Sequence, residues 1–210
     1  MLNIRKFSDY HSGMWSTSHV LYYQMMHSAL LNFKKSQKKY AAGKKKYLEK
    51  YKNEFEDLSD LHSYVNYKLE KYALNCDKEA ISIHLFACFT IEAFLNFVGV
   101  KIMGEKFYQE NINGAGAKEK VSILLLIDTG EVVSRQDRLV KKICGLFEKR
   151  SSLVHPKVKE TSFTELVQNF KLVDLDSWVN QVVVDFEYIL DEFCNRVKVN
   201  KSDHFPENSS

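Results

Sequence analysis

The sequence contains few residues that break helices. Its 210 residues include only two prolines, Pro156 and Pro206, and eight glycines. A β-sandwich or β-barrel needs many tight turns, and such turns are built largely from glycine and proline. We therefore expect an all-α fold, an antiparallel helical bundle with an N-terminal helical hairpin.

Cysteine pairs and targeting segments are also missing. The four cysteines form no CxxC pair, and we expect no disulfides. The N-terminal residues MLNIRKFSDYHSG contain no apolar run like that of a secretory signal. The stretch 80–100 is long enough to cross a membrane, but it contains His84, Glu92 and Asn96, which are costly in hydrocarbon. We expect a cytoplasmic protein with no membrane contact.

The sequence signatures of several enzyme classes and cofactor sites are absent. The glycines at 114 and 116 lack the lysine and hydroxyl of a P-loop, and the chain has no HExxH or GxSxG motif. We expect no cofactor and no metal. The net charge of +3 is too small to indicate nucleic acid by itself, whereas a hydrophobic content of 45% excludes a disordered chain.

Apolar periodicity divides the first half of the chain into four segments. These are a loose leader at 1–13, a helix at 15–40, a second helix at 44–72, and a central helix at 80–98 that is apolar almost all round. The first two helices meet near Gly43. We expect them to form a basic helical hairpin, which we assign to residues 1–76.

The second half is divided in the same way. Its segments are a loop at 104–118, a short apolar run at 121–127 that is ambiguous between helix and strand, a helix at 135–154, a short helix with a capping box at Ser162 and Glu165, and a last helix capped by Asp174 or Asp176. Together they predict a helical core at 77–198. The polar tail 199–210 is expected to be frayed.

Lysines are crowded between residues 34 and 52, where they alternate with Tyr40, Tyr47 and Tyr51. A basic and aromatic surface of this kind can hold RNA through phosphate contacts and base stacking. The commoner interpretation is a solvated helix face stabilised by ion pairs, such as Glu49 with Lys45 or Lys46. The sequence favours the second interpretation without excluding the first.

Four polar residues, His84, Cys88, Glu92 and Asn96, recur every four positions in the apolar central helix and therefore share one face. This line could border a functional cleft, with Glu92 orienting Arg150 or His155. Alternatively, each group is satisfied inside the bundle. The spacing of His84, Cys88 and Glu92 also suits a metal, but no second cluster completes such a site.

The segment EKRSSLVHP, residues 148–156, combines chemically useful groups. In a continuous helix, Arg150 and His155 would lie about 140° apart around the axis. Pro156 disfavours the helical conformation at His155, so that His155 can fold back toward Arg150 in the last turn. A guanidinium that binds phosphate beside an imidazole that titrates near neutrality suits metal-free cleavage of a phosphodiester.

This segment resembles the motif of the HEPN family, the higher eukaryotes and prokaryotes nucleotide-binding domains. Members carry an arginine, four to six residues and then a histidine at the end of the third core helix. The arginine is often followed by asparagine and the histidine by proline; here the motif is RSSLVHP, with Ser151 in the asparagine position. Upstream, FACFTIEAFLNFVG resembles the family's second core helix, where Glu92 corresponds to its acidic residue. The resemblance covers about residues 80–197.

The resemblance implies a function and an assembly. We expect a homodimer whose two Arg150/His155 corners face one cleft and cleave RNA without a metal, with Glu92 and Ser151 in support. Many members act as toxins with an antitoxin partner, or in defence against phage. The alternative is a non-catalytic HEPN-like binding or regulatory module, which the replacement of asparagine by Ser151 and the large N-terminal hairpin both favour.

Overall fold

The computed structural model describes residues 6–10, 13–154 and 174–205 of the chain. Near the N-terminus, strands β1 (Lys6–Tyr10) and β2 (Gly13–Thr17) form an antiparallel β-hairpin. The expected loose leader is therefore wrong for the described part of residues 1–13, because their backbone groups pair in strands. Apart from this β-hairpin, the described elements are helical, which confirms the all-α expectation.

Helices α1 (His19–Tyr51) and α2 (Leu58–Met103) form the expected helical hairpin, but its turn lies at 52–57 and not at Gly43. Gly43 lies inside α1, at a point where the Leu69 side chain of α2 approaches the backbone of α1 closely. A Cβ atom at this position would lie 2.6 Å from Cδ2 of Leu69. The turn ends where the Asp57 side chain accepts a hydrogen bond from the Ser59 backbone N–H at 2.7 Å, which caps α2.

Helix α2 belongs to two hydrophobic clusters at once. Its 46 residues extend about 70 Å and pass without a break through the expected domain boundary between residues 76 and 77. Near the turn, Leu61, Val65 and Leu69 pack with α1 in a small cluster of their own. We call residues 34–76 the arm. The C-terminal half of α2 forms the centre of the main core, as expected for the central helix.

Among the described helices, α2 alone is long and apolar enough to cross a membrane. The core helices of soluble proteins pass the same test, and just over half of its most apolar window is buried inside the protein, 56% by residue. Its length and composition therefore do not distinguish a membrane-spanning helix from a core helix.

The expected loop at 104–118 is partly wrong, because it contains helix α3 (Glu105–Asn111) and the start of α4 (Ala117–Thr129). The ambiguous run at 121–127 belongs to α4 and is helical. The buried residues of α4 follow the three/four spacing of a helix facing the core: Ala117, Lys120, Val121, Leu124 and Leu125. Gly130, at φ +75°, ends α4 in the left-handed conformation that glycine adopts readily.

The last two long helices are close to their predicted positions. Helix α5 (Arg138–Val154) begins three residues later than expected, because Asp137 accepts a hydrogen bond from the Leu139 N–H at 2.8 Å. Helix α6 (Leu175–Arg196) is capped by Asp174, one of the two predicted caps, which accepts from Ser177 N–H at 3.3 Å. The predicted capping box at Ser162 and Glu165 lies outside the described residues, as does Pro156.

The expectation of a frayed tail from residue 199 is wrong as far as the structure describes it, to residue 205. A short 3₁₀-helix, Lys201–Asp203, follows α6, and Lys201 pairs with Glu187 at 2.6 Å and Asp191 at 2.7 Å. Phe205 is only 3% exposed and packs against Phe94, with ring centroids 5.0 Å apart. Burial of this aromatic ring fixes the segment, whose polar composition had indicated the opposite.

Arg196 joins α6 to the connection between α4 and α5. Its Nη1 lies 2.9 Å from both Glu131 and Asp137, and its Nε donates to Glu192 at 2.8 Å. Burial by itself would raise the pKa of Asp137, but hydrogen bonds from Arg196 and from the start of α5 outweigh burial and lower it. The side chain of Arg196 is 19% exposed and its guanidinium contacts three carboxylates, so its role is structural.

Shortening Phe205 to alanine should destabilise the whole fold. The change leaves a cavity beside Phe94, and we expect the free energy of unfolding to fall by about 3 kcal/mol. Urea-induced unfolding followed by circular dichroism measures this loss. Val132→Ala, at an exposed position, is the control and should change stability by no more than about 0.5 kcal/mol. Equal stability of Phe205→Ala and wild type would show that the tail is not part of the core.

Replacing Arg196 by methionine should cost about 2–3 kcal/mol at pH 7, because three carboxylates lose their common partner. Since the pKa of Asp137 is lowered on folding, its stabilisation is complete above the ordinary aspartate pKa of about 3.9 and disappears as the pH falls through the folded value. The difference between wild type and variant should therefore narrow between pH 7 and pH 3 in urea titrations.

Lys142→Met, which removes one surface pair with Asp185, is the matched control for Arg196→Met and should cost less than about 1 kcal/mol. A gap between Arg196→Met and wild type that is unchanged at pH 3 would contradict the role given to Asp137.

Candidate functional site

The first two polar residues on the central part of α2 contact the backbone of α5. His84 and Cys88 are fully buried, and both approach the carbonyl oxygen of Leu146, His84 Nε2 at 2.8 Å and Cys88 Sγ at 3.7 Å. His84 also stacks on Trp178 of α6. These two side chains therefore fix the position of α5 on α2, and they face away from any open surface.

Their protonation states agree with a structural role. Burial lowers the pKa of His84, although its hydrogen bond to Leu146 opposes the shift, so the imidazole is neutral and donates from Nε2. Burial raises the pKa of the Cys88 thiol to about 12, so the sulfur is protonated at neutral pH. The alternative of a metal at His84, Cys88 and Glu92 gains no support: within the described residues no group of three or more side chains is arranged to hold a metal ion.

The third polar residue of the line, Glu92, reaches Arg150 in the last turns of α5. Its Oε2 lies 3.5 Å from Arg150 Nη1, and both side chains are partly exposed, Arg150 by 32%. Sequence analysis predicted that Glu92 would orient Arg150 or His155, and the structure brings Glu92 and Arg150 together. Two residues 58 positions apart thus meet because His84 and Cys88 hold α5 against this face of α2.

The guanidinium of Arg150 lies over two aromatic rings. Its central carbon lies 5.1 Å from the ring centre of Phe89 and 5.8 Å from that of Phe147, within the range of cation–π contacts. Phe89 in turn packs against Tyr22 of α1, with ring centres 5.5 Å apart. This aromatic bed restricts where the guanidinium can lie, while the Arg150 side chain stays partly exposed.

Arg150 and Arg196 illustrate two different uses of an arginine. Arg196 contacts three carboxylates at 2.7–2.9 Å and uses four of its five N–H donors in these contacts. Arg150 has one ion pair among the described residues, at the longer distance of 3.5 Å. A guanidinium carries five N–H donors, more than the described residues occupy at Arg150.

The fourth polar residue, Asn96, is the centre of a buried cluster that was not predicted. Its Oδ1 accepts hydrogen bonds from Tyr108 OH at 2.7 Å and from Lys120 Nζ at 2.8 Å. Tyr108 lies flat on α2 because residue 99 is glycine, where a Cβ would come within 2.2 Å of the ring. The cluster therefore ties both α3 and α4 to α2, one turn beyond Glu92.

Lys120 is 1% exposed, which is rare for a lysine. Burial lowers its pKa, and the negative charge of Glu92 partly opposes that effect. Burial also raises the pKa of Tyr108 to about 12, so its hydroxyl stays protonated and donates. Extending the three/four spacing of the run 121–127 back to Ala117 as a helix would place Lys120 on the buried face with Val121 and Leu124.

Of the two remaining predicted site residues, the structure describes Ser151 but not His155. Ser151 is exposed on α5, next to Arg150. His155 lies outside the described residues; in the chain it follows Val154, the last described residue of α5, directly. The structure therefore brings together Arg150, Glu92 and the aromatic bed, and it leaves the geometry between Arg150 and His155 as a prediction.

Comparison of the chain with protein-family models, curated proteins and solved structures finds no match. The resemblance to HEPN proteins accordingly depends on the residues themselves, the Arg150–His155 spacing before Pro156 and the acidic Glu92 upstream.

Replacing Lys120 by methionine should stabilise the protein at pH 7 or leave its stability within about 1 kcal/mol, because a buried charge is exchanged for an apolar side chain of similar length. Folding lowers the pKa of Lys120, so wild type gains stability as the pH rises toward the ordinary lysine value of about 10.4. The variant lacks this titration. The free energy of unfolding of Lys120→Met, relative to wild type, should therefore fall between pH 7 and pH 10 in urea-induced unfolding.

Lys118→Met is the matched control, since that side chain is 36% exposed and lies on the same helix. Its stability relative to wild type should not change over the same pH interval. A difference in the free energy of unfolding between Lys120→Met and wild type that stays constant with pH would contradict the lowered pKa of Lys120.

Proposed function

We propose that this protein is a HEPN-type endoribonuclease that cleaves RNA without a metal, at the corner formed by Arg150 and His155. The observation that carries the proposal is the geometry of Arg150. Among the described residues, Glu92 contacts one edge of its guanidinium and the rings of Phe89 and Phe147 contact its face, and the side chain is partly exposed.

Arg150 would bind the scissile phosphate. A guanidinium pairs bidentately with two phosphate oxygens, and it stabilises the extra negative charge that develops on them in the transition state. The long 3.5 Å contact with Glu92 restrains Arg150 without neutralising it through a tight bidentate pair. Glu92 thus acts as a positioning residue, which limits the reorganisation needed when the substrate binds.

His155 would move protons as a general base or acid. The ribose 2′-hydroxyl loses its proton to one imidazole, and its oxygen forms a new bond to phosphorus. The bond from phosphorus to the 5′ oxygen breaks, and that oxygen takes a proton from an imidazolium. The products are a 2′,3′-cyclic phosphate and a 5′-hydroxyl end. In the proposed homodimer, His155 and the partner subunit's His155 share these two proton transfers in one cleft.

Ser151 favours a second candidate function, a non-catalytic binding or regulatory module. A serine hydroxyl provides one donor, whereas the amide of the asparagine common in the family provides two. With fewer donors beside the phosphate, the corner would bind RNA or a partner protein without cleaving it. The long arm, which extends beyond the HEPN-like core, provides additional surface for such binding.

The proposed cellular setting follows from the same resemblance. The protein would act in the cytoplasm, as the toxin of a toxin–antitoxin pair or in phage defence, and its activity would be restrained by a partner protein. RNA is the proposed substrate.

Substituting either corner residue should abolish cleavage while the protein stays folded. We expect His155→Ala to lower the rate by about 10²–10⁴-fold and Arg150→Ala by about 10²–10³-fold, since one removes the proton shuttle and the other the charge stabilisation. Cleavage of a panel of fluorescent RNAs in EDTA, alongside size-exclusion chromatography, measures rate and assembly together. Arg150→Lys should remain impaired, because lysine keeps the charge but loses the bidentate fork.

The chain offers matched controls for these variants. Arg135→Ala and His62→Ala change the same residue types at exposed positions away from the corner and should cleave as wild type does. Equal cleavage by wild type, Arg150→Ala and His155→Ala would overturn the nuclease proposal. RNA binding by a dimeric wild type that never cleaves would support the binding module.

A further inference from the structure

The densest run of lysines in the sequence lies in the arm, along α1 and at Lys52, which directly follows it. Residues 34–52 contain nine lysines and a single acidic residue, Glu49. This excess of positive charge is larger than the net charge of +3 of the whole chain, so the remainder of the protein is net acidic. All nine lysines are exposed.

The lysines share one side of the helix. At 3.6 residues per turn, eight of the nine fall within an arc of about 160° around α1, with Lys44 as the exception. The opposite side carries Tyr40, Tyr47 and Tyr51, which pack with the small cluster of α2 residues around Val65. We call the lysines between 34 and 52, other than Lys44, the lysine face. It is about 27 Å long.

Ion pairing does not explain the lysine face. Within the part of the chain that the structure describes, none of its lysines forms an ion pair, and the expected pair of Glu49 with Lys45 or Lys46 is absent. Like charges repeat one turn apart, as in Lys35 and Lys39, and such pairs destabilise a helix by about 0.2–0.5 kcal/mol each. The lysine face therefore opposes helix stability, which points to a ligand of opposite charge.

The character of the surface favours a nucleic acid over other anionic partners. An interfacial membrane helix needs an exposed apolar side next to its basic side, but the apolar side of this part of α1 is packed on α2. Protein interfaces are depleted in lysine at their centres, whereas lysines are central here. Contact between many lysines and a row of phosphates is the sequence-independent mode of nucleic-acid binding.

We propose that the lysine face binds the backbone of single-stranded RNA and guides it toward the Arg150 corner. The choice of RNA as the nucleic acid rests on the proposed function. The same helix reaches both places, because Tyr22 of α1 contacts Phe89 in the aromatic bed beneath Arg150. Tyr22 lies on the side of α1 that carries Tyr40, so an RNA bound along the lysine face must turn around α1 to reach the corner. From Tyr22 to the start of the lysine face is about 18 Å along α1.

Binding can be measured without cleavage by using an oligonucleotide of about 24 nucleotides with 2′-O-methyl riboses, which lack the attacking hydroxyl. At about 3.4 Å per nucleotide, it spans roughly 80 Å and can reach both places. The test variant replaces four central lysines of the lysine face by glutamine: Lys38, Lys39, Lys45 and Lys46. The control variant removes the same charge from exposed lysines elsewhere: Lys71, Lys78, Lys106 and Lys141. Circular dichroism checks that both variants fold.

The expected result is a change in both affinity and salt dependence. With about eight phosphate contacts, the slope of log K against log salt concentration for wild type should be about −6, and for the test variant about −3. At roughly 0.15 M salt, the test variant should bind about tenfold or more weakly, while the control variant stays within about twofold of wild type. Fluorescence anisotropy over a salt series gives both quantities.

Three outcomes would overturn the proposal: wild-type affinity in the test variant, equal losses in both variants, or equal binding of a poly-glutamate peptide of similar length. The nuclease proposal is judged separately by cleavage of unmodified RNA. Lost cleavage with intact, lysine-dependent binding would remove the nuclease and keep the lysine face as an RNA-binding surface. Intact cleavage, with binding that does not depend on the lysines, would keep the nuclease proposal and remove the lysine face as an RNA-binding surface.

Discussion

The line of polar groups on α2 constrains where three of its neighbouring helices pack. An apolar helix can bury polar side chains only where each finds a partner. His84 and Cys88 approach the backbone of α5, Glu92 reaches Arg150, and Asn96 accepts from Tyr108 and Lys120. Three neighbouring helices are thereby set in position along one face of α2.

The candidate site is a consequence of this arrangement. Because α5 is held at the Leu146 carbonyl, its next turn carries Arg150 over Phe89 and beside Glu92. Two arginines are held in different ways. Arg196 contacts three carboxylates and joins α6 to the connection between α4 and α5, whereas the described residues give Arg150 one ion pair, at the longer distance of 3.5 Å.

The arm is stabilised by a small hydrophobic cluster that is separate from the main core. Its small cluster of apolar residues is enough to align α1 with α2, and Gly43 allows the close approach. Along its outer side, repeated positive charges work against the helix that carries them. Stability alone gives no reason for that pattern, and this is why we propose a ligand of opposite charge for the lysine face.

The helical class, the face on which His84, Cys88, Glu92 and Asn96 lie, and the Asp174 cap could be predicted from the sequence, because local periodicity and capping chemistry act over a few residues. Local patterns do not say which distant groups will meet. The sequence offered Arg150 or His155 as the partner of Glu92, but the burial of Lys120 and the docking of Phe205 were decided by tertiary packing alone. Each depends on contacts between segments far apart in the chain, whose free energy exists only after the helices have assembled.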